Sequence, residues 1–415
     1  MASKRETSTA VTDTAEDLVK WLGSFGQSKS GGVTRPLYSE PWMEAQHALQ
    51  KKMELSGLET YYDSVGNLFG RLEGTNPDSN CILTGSHIDT VVNGGIYDGV
   101  YGIVASYSAV QKLRKQFGHP RKTIEIVSLC EEEGSRFPIT FWGSGNITGN
   151  YSLQDAVGKN DHNGVSLLEA MKAAGFDPET YQNPKREDIE CFLECHIEQG
   201  IVLEKTATSI GVVSHIAGQR RYTIKLSGES NHAGTTPMHF RKDAMVLAAQ
   251  FITYLTDKAE QADSDLVATT GKLTASPNVS NVIAGEVTFT LDVRHYKKRM
   301  LDQFCREVLD HFHQKADHFG FALSYHTWLE ADPVQMDQDL QAQMAAAVRE
   351  ENLSYQSMFS GAGHDAQMFG SFCPSSLLFV PSKNGISHSP KEFTSSQFLE
   401  QGIQVLTRML YQLAY

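Results

Sequence analysis

At 415 residues the chain is too long for one compact core and long enough for two. Hydrophobic residues make up 40% and charged residues 20%, the balance of a folded chain, which excludes intrinsic disorder. A formal net charge of −13 excludes a surface built to displace counterions from phosphates, so no nucleic-acid partner is expected.

The opening stretch MASKRETSTAVTDTAEDLVK is polar and lacks the apolar run of a signal peptide, and no later run is long enough for a bilayer. The expectation is a cytoplasmic protein with no membrane partner. Leu18, Trp21, Leu22 and Phe25 recur at helical spacing before Gly26, and a second helix is expected from Pro41 behind Ser39 to Gly57. CILTGSH (81–87), TIEIVSLC (123–130) and IECFLECH (189–196) are short, nearly continuous apolar runs, with an amphipathic stretch from Gly102 to Phe117 after the first. Strand, helix, strand with both strand faces apolar is the pattern of an α/β sheet covered on both sides.

From Arg221 the pattern changes. RYTIKLSG reads as a strand, 241–260 as a helix, VATTGKLTA (267–275) and EVTFTLDVRH (286–295) as strands, 298–317 as a helix and 321–329 as a strand. That β-α-β-β-α-β order is ferredoxin-like. Helix, the strand SSLLFVPS (375–382) and a closing helix from Ser396 to Tyr411 follow. The expected organisation is an α/β domain (1–214 and 330–415) interrupted by an α+β domain at 215–329. The six cysteines are scattered without a paired CxxC spacing and read as small buried apolar residues.

The chemistry gathers where strands end. His87 closes an apolar run, the place where open α/β sheets put functional groups, and Asp89 lies two residues on, able to orient the imidazole. Asp98 sits in the glycine-rich NGGIYDGVYG; alone it is a surface turn, in company a bridging carboxylate. EEEGSRF (131–137) crowds three carboxylates at a strand end. Like charges so close repel unless cations neutralise them, which points to a metal site or a tuned acid. HIEQG (196–200) and GISHSP (385–390) each place a histidine beyond an apolar strand. His87, Asp98, a glutamate of the triplet, His196 and His388 form a mixed imidazole and carboxylate set that suits zinc or manganese better than calcium. In the inserted segment GQRRY, GESNHAGTTPM, SNVIAG and DVRH offer His, Asn and Arg with few carboxylates, a composition for an anionic substrate and an oxyanion.

The successive motifs GSHIDT, GGIYDG, EEEGSRF, HIEQG, HAGTTPM, SGAGHDAQ and GISHSP resemble those of the M20-type amidohydrolases, in the carbamoylase and allantoate amidohydrolase branch, from about Trp21 to Ala414. GVTRPLYS, WGSGNITG and NGISHSP are similar to the allantoate-cleaving side of that branch.

The resemblance implies a two-domain dinuclear metallohydrolase with a ferredoxin-like lid and dimerisation domain. His87, Asp98, Glu133, His196 and His388 would bind two divalent ions, Mn2+ or Zn2+. Asp98 would bridge, His87 and His196 would hold one ion, and Glu133 and His388 the other. Glu132 would be the general base and Asp89 would orient His87. His232 would polarise the scissile carbonyl, Asn281 and Arg294 would hold a substrate carboxylate, and Gln199, Gln219, Gly363 and His364 would line the pocket. A cis peptide is expected after the bridging Asp98. The implied reaction is hydrolysis of the carbamoyl group of allantoate to ureidoglycine, ammonia and carbon dioxide, in a homodimer joined through the inserted domain. N-carbamoyl-L-amino acids are the alternative substrates, and a non-catalytic ligand-binding role the second alternative.

Overall fold

The computed structural model describes residues 13–76 and 78–415; most of the polar opening stretch lies outside them. The described chain forms two compact units. The first comprises the part up to Ser214 with Met336–Met358 and His364–Tyr415, and the second comprises His215–Gln335 with Phe359–Gly363.

In the first unit the four central strands are parallel neighbours, in the order Ile124–Leu129, Cys81–His87, Ile189–Ile197 and Ser375–Val380. Three are buried at every residue and the third at all but one, which is why they read as continuous apolar runs rather than as alternation. Leu68–Leu72 and then Glu59–Tyr62 extend one side antiparallel, and Ile210–Ile216 joins the other. The hairpin 59–72 is absent from the sequence expectation, because its outer strand is only half covered and carries no apolar run.

Helices cover this sheet. Ala15–Gly23 starts on a Thr14 capping box, and Glu40–Leu55 has Pro41 in its first turn, where the missing N–H costs nothing. Ser396–Ala414 buries Leu399, Ile403, Leu406 and Leu410 on one stripe, each contributing about 1.5–3 kcal/mol of apolar burial. Val100–Phe117 approaches the sheet closely at Gly102, where a Cβ would lie 2.4 Å from the Cys195 carbonyl oxygen.

The second unit has strand order Ala322–Ala331, Gly218–Ser227, Glu286–His295, then Val267–Thr269 with Leu273–Ser276, all antiparallel. With Ala244–Ala262 and Lys298–Phe319 this is the β-α-β-β-α-β order read from the sequence. The stretch 267–275, expected as one strand, is two pieces interrupted at 270–272. The helices pack on the face bearing Ile224, Leu226, Val287, Phe289 and Leu291, and the other face stays uncovered by them. The unit runs on to Gln335, since Val334 and Gln335 pair with Ile216 and His215. No described helix is long and apolar enough to cross a membrane. Five of the six cysteines are buried and none is disulfide-bonded.

Candidate metal centre

The parallel strands of the first unit all end on one side of its sheet, and their carboxyl ends deliver the chemistry. His87 is the last residue of its strand, His196 the penultimate residue of its neighbour, and the acidic triplet follows Leu129.

Asp98 is the centre of the group. Its Oδ1 lies 3.3 Å from His196 Nε2 and 3.7 Å from His87 Nε2, while its Oδ2 lies 3.1 Å from His388 Nε2. Glu133 Oε1 is 3.4 Å from the same His388 nitrogen. The five residues therefore form two sets that share one carboxylate: His87, Asp98 and His196, and Asp98, Glu133 and His388.

Backbone groups set the imidazoles. His87 Nδ1 faces the Asp89 carbonyl at 3.1 Å and His196 Nδ1 faces the Ile197 carbonyl at 2.9 Å, so each ring carries its proton there and turns an Nε2 lone pair inward. The Gly99 amide donates to His196 Nε2 at 3.1 Å, which fixes the same tautomer.

The Asp98–Gly99 peptide is trans, against the expected cis bond; the cis bond among the described residues is Ser276–Pro277. The turn is made instead by Gly99 itself, at φ +65° and ψ −51°, with Val100 N–H donating to Asp98 C=O at 2.7 Å. That tight three-residue turn needs a positive φ, which glycine supplies without a Cβ clash.

Asp89 acts differently from expectation. Its carboxylate is 3.8 Å from His87 Nδ1, beyond a hydrogen bond, and instead accepts the amides of Glu132 and Glu133 at 3.2 and 3.1 Å. The imidazole is oriented by the Asp89 carbonyl. Of the acidic triplet, Glu131 turns away at φ +53° and accepts the amides of Arg136 and Phe137, leaving Glu132 and Glu133 at the site.

Electrostatics follow from burial of so much acid. Burial pushes the Glu132 carboxyl well above its usual range, and Glu133 and Asp365 push it the same way against His87. Glu133 is raised to about 7 by burial and by Asp98. Burial would raise Asp98 too, but the imidazoles of His196, His388 and His87 gathered around it hold it well below the carboxylate range. Burial opposes a charge on His87, yet Asp98 and the nearby carboxylates lift its proton affinity well above normal. The cluster attracts positive charge, and its donors, carboxylate oxygens and oriented imidazole Nε2 atoms, fit divalent cations.

Sequence reasoning passed over several supports. Glu392, buried, accepts the amides of Tyr97 and Asp98 at 2.9 and 3.1 Å and Ser387 Oγ at 2.9 Å, tying the Asp98 turn to the His388 turn. Glu194 accepts Ser86 Oγ at 2.7 Å and the Ala366 amide at 2.9 Å, and groups with His196 and His364. Its signal was available, as a charge inside an apolar strand two residues before His196. Arg35, fully buried, donates from Nε to the Ile88 carbonyl at 2.6 Å and steadies the turn between His87 and Asp89.

The other expected site residues are distributed as follows. Gln199 Nε2 donates to Asp98 Oδ2 at 2.9 Å and to Ser387 Oγ at 3.1 Å. His364 is buried, its ring 4.6 Å from that of His196. The rest lie in the second unit. His232 pairs with Val282 and Ala233 N–H donates to the Asn281 carbonyl, so His232 and Asn281 are neighbours. His232 Nδ1 accepts the amides of Gly234 and Thr235 at 3.0 and 3.2 Å, which leaves the proton on an exposed Nε2. Arg294 stands opposite Gln219 in the sheet and donates from Nη1 to the Gly361 carbonyl at 2.8 Å; Gly363 belongs to the same returning segment.

Residues 83–412 match the model of peptidase family M20/M25/M40. The chain is 48% identical to the allantoate amidohydrolase of Bacillus subtilis (strain 168), over 98% of each chain. It is 46% identical to the allantoate amidohydrolase of Escherichia coli (strain K12), over 96% of this chain and 97% of that one. A solved structure of an amidase of the hydantoinase/carbamoylase family from Burkholderia multivorans superposes with a TM-score of 0.91 at 29% identity, covering 96% of both chains.

Proposed function

The chain belongs to peptidase family M20/M25/M40, and from that premise we propose that it is a metal-dependent amidohydrolase that removes the carbamoyl group of allantoate. The observation that carries the chemistry is the division of the Asp98 carboxylate, with Oδ1 turned to His87 and His196 and Oδ2 to His388 beside Glu133. The substrate follows from the 48% and 46% identity to two allantoate amidohydrolases, against 36% to the N-carbamoyl-L-amino-acid amidohydrolases of Geobacillus stearothermophilus and Pseudomonas sp. (strain NS671).

His87, Asp98 and His196 would hold one divalent cation, and Asp98, Glu133 and His388 a second, with Mn2+ or Zn2+ matching the donors. Bound there, such ions supply Lewis acidity, polarising a carbonyl oxygen and acidifying water.

The chain's own groups do the rest. Glu132, its proton affinity raised by burial, takes the proton of the attacking water and returns it to the departing nitrogen. His232 offers its Nε2–H to the carbonyl oxygen as negative charge develops. Asn281 and Arg294 hold the substrate carboxylate, with Gln199, Gln219, Gly363 and His364 lining the site. Breaking the terminal C–N bond of one ureido group releases ammonia; the carbamate left on nitrogen loses carbon dioxide, and ureidoglycine remains. The inserted unit serves as lid and joins two copies as a homodimer, working in the cytoplasm.

The test is ammonia release by the metal-loaded protein from allantoate and from an N-carbamoyl-L-amino acid with a hydrophobic side chain. At least tenfold higher kcat/KM for allantoate is expected, and a preference for the carbamoyl amino acid overturns the assignment.

A further inference from the structure

The uncovered face of the second unit's sheet carries a cleft of about 460 Å³ whose charged lining residues are Arg221, Asp292 and Arg294. Two guanidinium groups against one carboxylate leave it net positive, in a chain of formal charge −13. Arg221 and Asp292 stand directly opposite each other on neighbouring strands.

The two arginines are used unequally. Arg294 donates once from each of its three nitrogens, from Nε and Nη2 to Asp292 at 3.0 and 2.9 Å and from Nη1 to the Gly361 carbonyl at 2.8 Å, which leaves one N–H on each Nη. Arg221 commits only Nε, to Asp292 Oδ2 at 2.8 Å. Neither of its Nη groups has a partner among the described residues. Asp292 thus aims a guanidinium whose planar fork faces the cleft.

Trp328 backs that fork, its ring centroid 5.3 Å from the guanidinium carbon. It reaches there through a bulge: Thr327 pairs with Tyr222 and Leu329 with Arg221, so Trp328 is the extra residue that the bulge re-aims. A surface ion pair built for stability needs neither an open fork nor a re-aimed tryptophan. A planar anion needs both, because two parallel N–H donors match a carboxylate and an aromatic plane keeps the fork in place.

We propose that this cleft is a carboxylate-binding site whose free donors are the Nη groups of Arg221 and the remaining N–H on each Nη of Arg294, and that it takes the carboxylate of the ureido-acid substrate, making Arg221 a substrate-binding residue alongside Arg294. The identity of the ligand rests on the reading above; the carboxylate chemistry rests on the cleft.

The experiment is calorimetric titration of allantoate and, separately, of acetate into the chelator-treated full chain, as wild type and Arg221→Met, followed by kinetics of the metal-loaded proteins. Arg221→Met is expected to weaken both ligands at least tenfold and to raise KM for allantoate at least tenfold, with kcat changed less than threefold. Turnover of N-carbamoylglycinamide, which has no carboxylate, is expected to be equal in both proteins. Arg221→Lys, which keeps the charge without the fork, is expected to fall between them and guards against a folding artefact. An unchanged KM in Arg221→Met, or an equal loss on the neutral compound, overturns the proposal. So does acetate that binds wild type without displacing allantoate, since the cleft then serves a separate oxyanion. Wild-type protein that releases no ammonia from allantoate sinks the substrate reading instead; acetate binding that Arg221→Met abolishes then still supports the cleft, and acetate binding that it leaves unchanged overturns it.

Discussion

The carboxylate of Asp89 accepts the backbone amide of Glu133 at 3.1 Å, and its other oxygen accepts that of Glu132 at 3.2 Å, while its own carbonyl holds His87 Nδ1 at 3.1 Å. One residue thus positions the imidazole, the proposed base and the proposed acidic metal ligand. Asp89→Ala leaves two shielded amides without acceptors, each costing about 1–3 kcal/mol, and is expected to lower the denaturation midpoint as well as activity. Asp89→Asn keeps the carbonyl and one acceptor oxygen, and is expected to fold while losing about 10- to 100-fold in kcat. An Asp89→Asn enzyme with wild-type kcat contradicts this role.

Glu132→Gln removes the proton acceptor and leaves the two ligand sets in place. Its kcat for ammonia release is expected to fall by about 10²–10⁴, with bound metal per chain unchanged. Loss of metal together with activity would make Glu132 a ligand rather than the base.

Glu392 ties the Asp98 turn to Ser387, the neighbour of His388. Glu392→Ala frees both turns and is expected to weaken metal retention about 10- to 100-fold, read as metal content after dialysis. Asp98 serves both sets, but His388 lies on the second freed turn, so the ion of Asp98, Glu133 and His388 is expected to be lost first and that of His87, Asp98 and His196 to be weakened less.

The hydrogen bond to Asp98 raises His388 from 6.5 to about 9, against the burial that opposes it. In the metal-free chain the folded imidazole binds its proton more tightly than the unfolded one. The stabilisation is therefore fully present below about 6.5 and is lost as pH rises through about 9. Cation binding must displace that proton, so metal affinity is expected to rise between pH 7 and 9. Calorimetry at pH 7 in buffers of different ionisation enthalpy reads the release directly, and an uptake that releases no proton contradicts the pairing.

Much of this site was legible in the sequence for one physical reason. Strands buried on both faces become nearly continuous apolar runs, so Cys81–His87 and Ile189–Ile197 could be placed, and with them the histidines at their ends. Charge repulsion marked the acidic triplet but could not show that Glu131 turns away to cap backbone amides. Glu392 left no mark, because its partners are mainly amides of Tyr97 and Asp98, and a backbone donor has no sequence signature. The role of the Asp89 carboxylate was hidden likewise. A cis peptide after Asp98 was an analogy rather than a reading of residues, and Gly99 turns the chain by its dihedral angles.

The most direct trial of the whole account is a titration of Mn2+ or Zn2+ into chelator-treated protein while ammonia release from allantoate is followed. Turnover is expected to be absent at the start and to climb to a plateau near two ions per chain. Undiminished release from the chelated, metal-free chain would contradict the account.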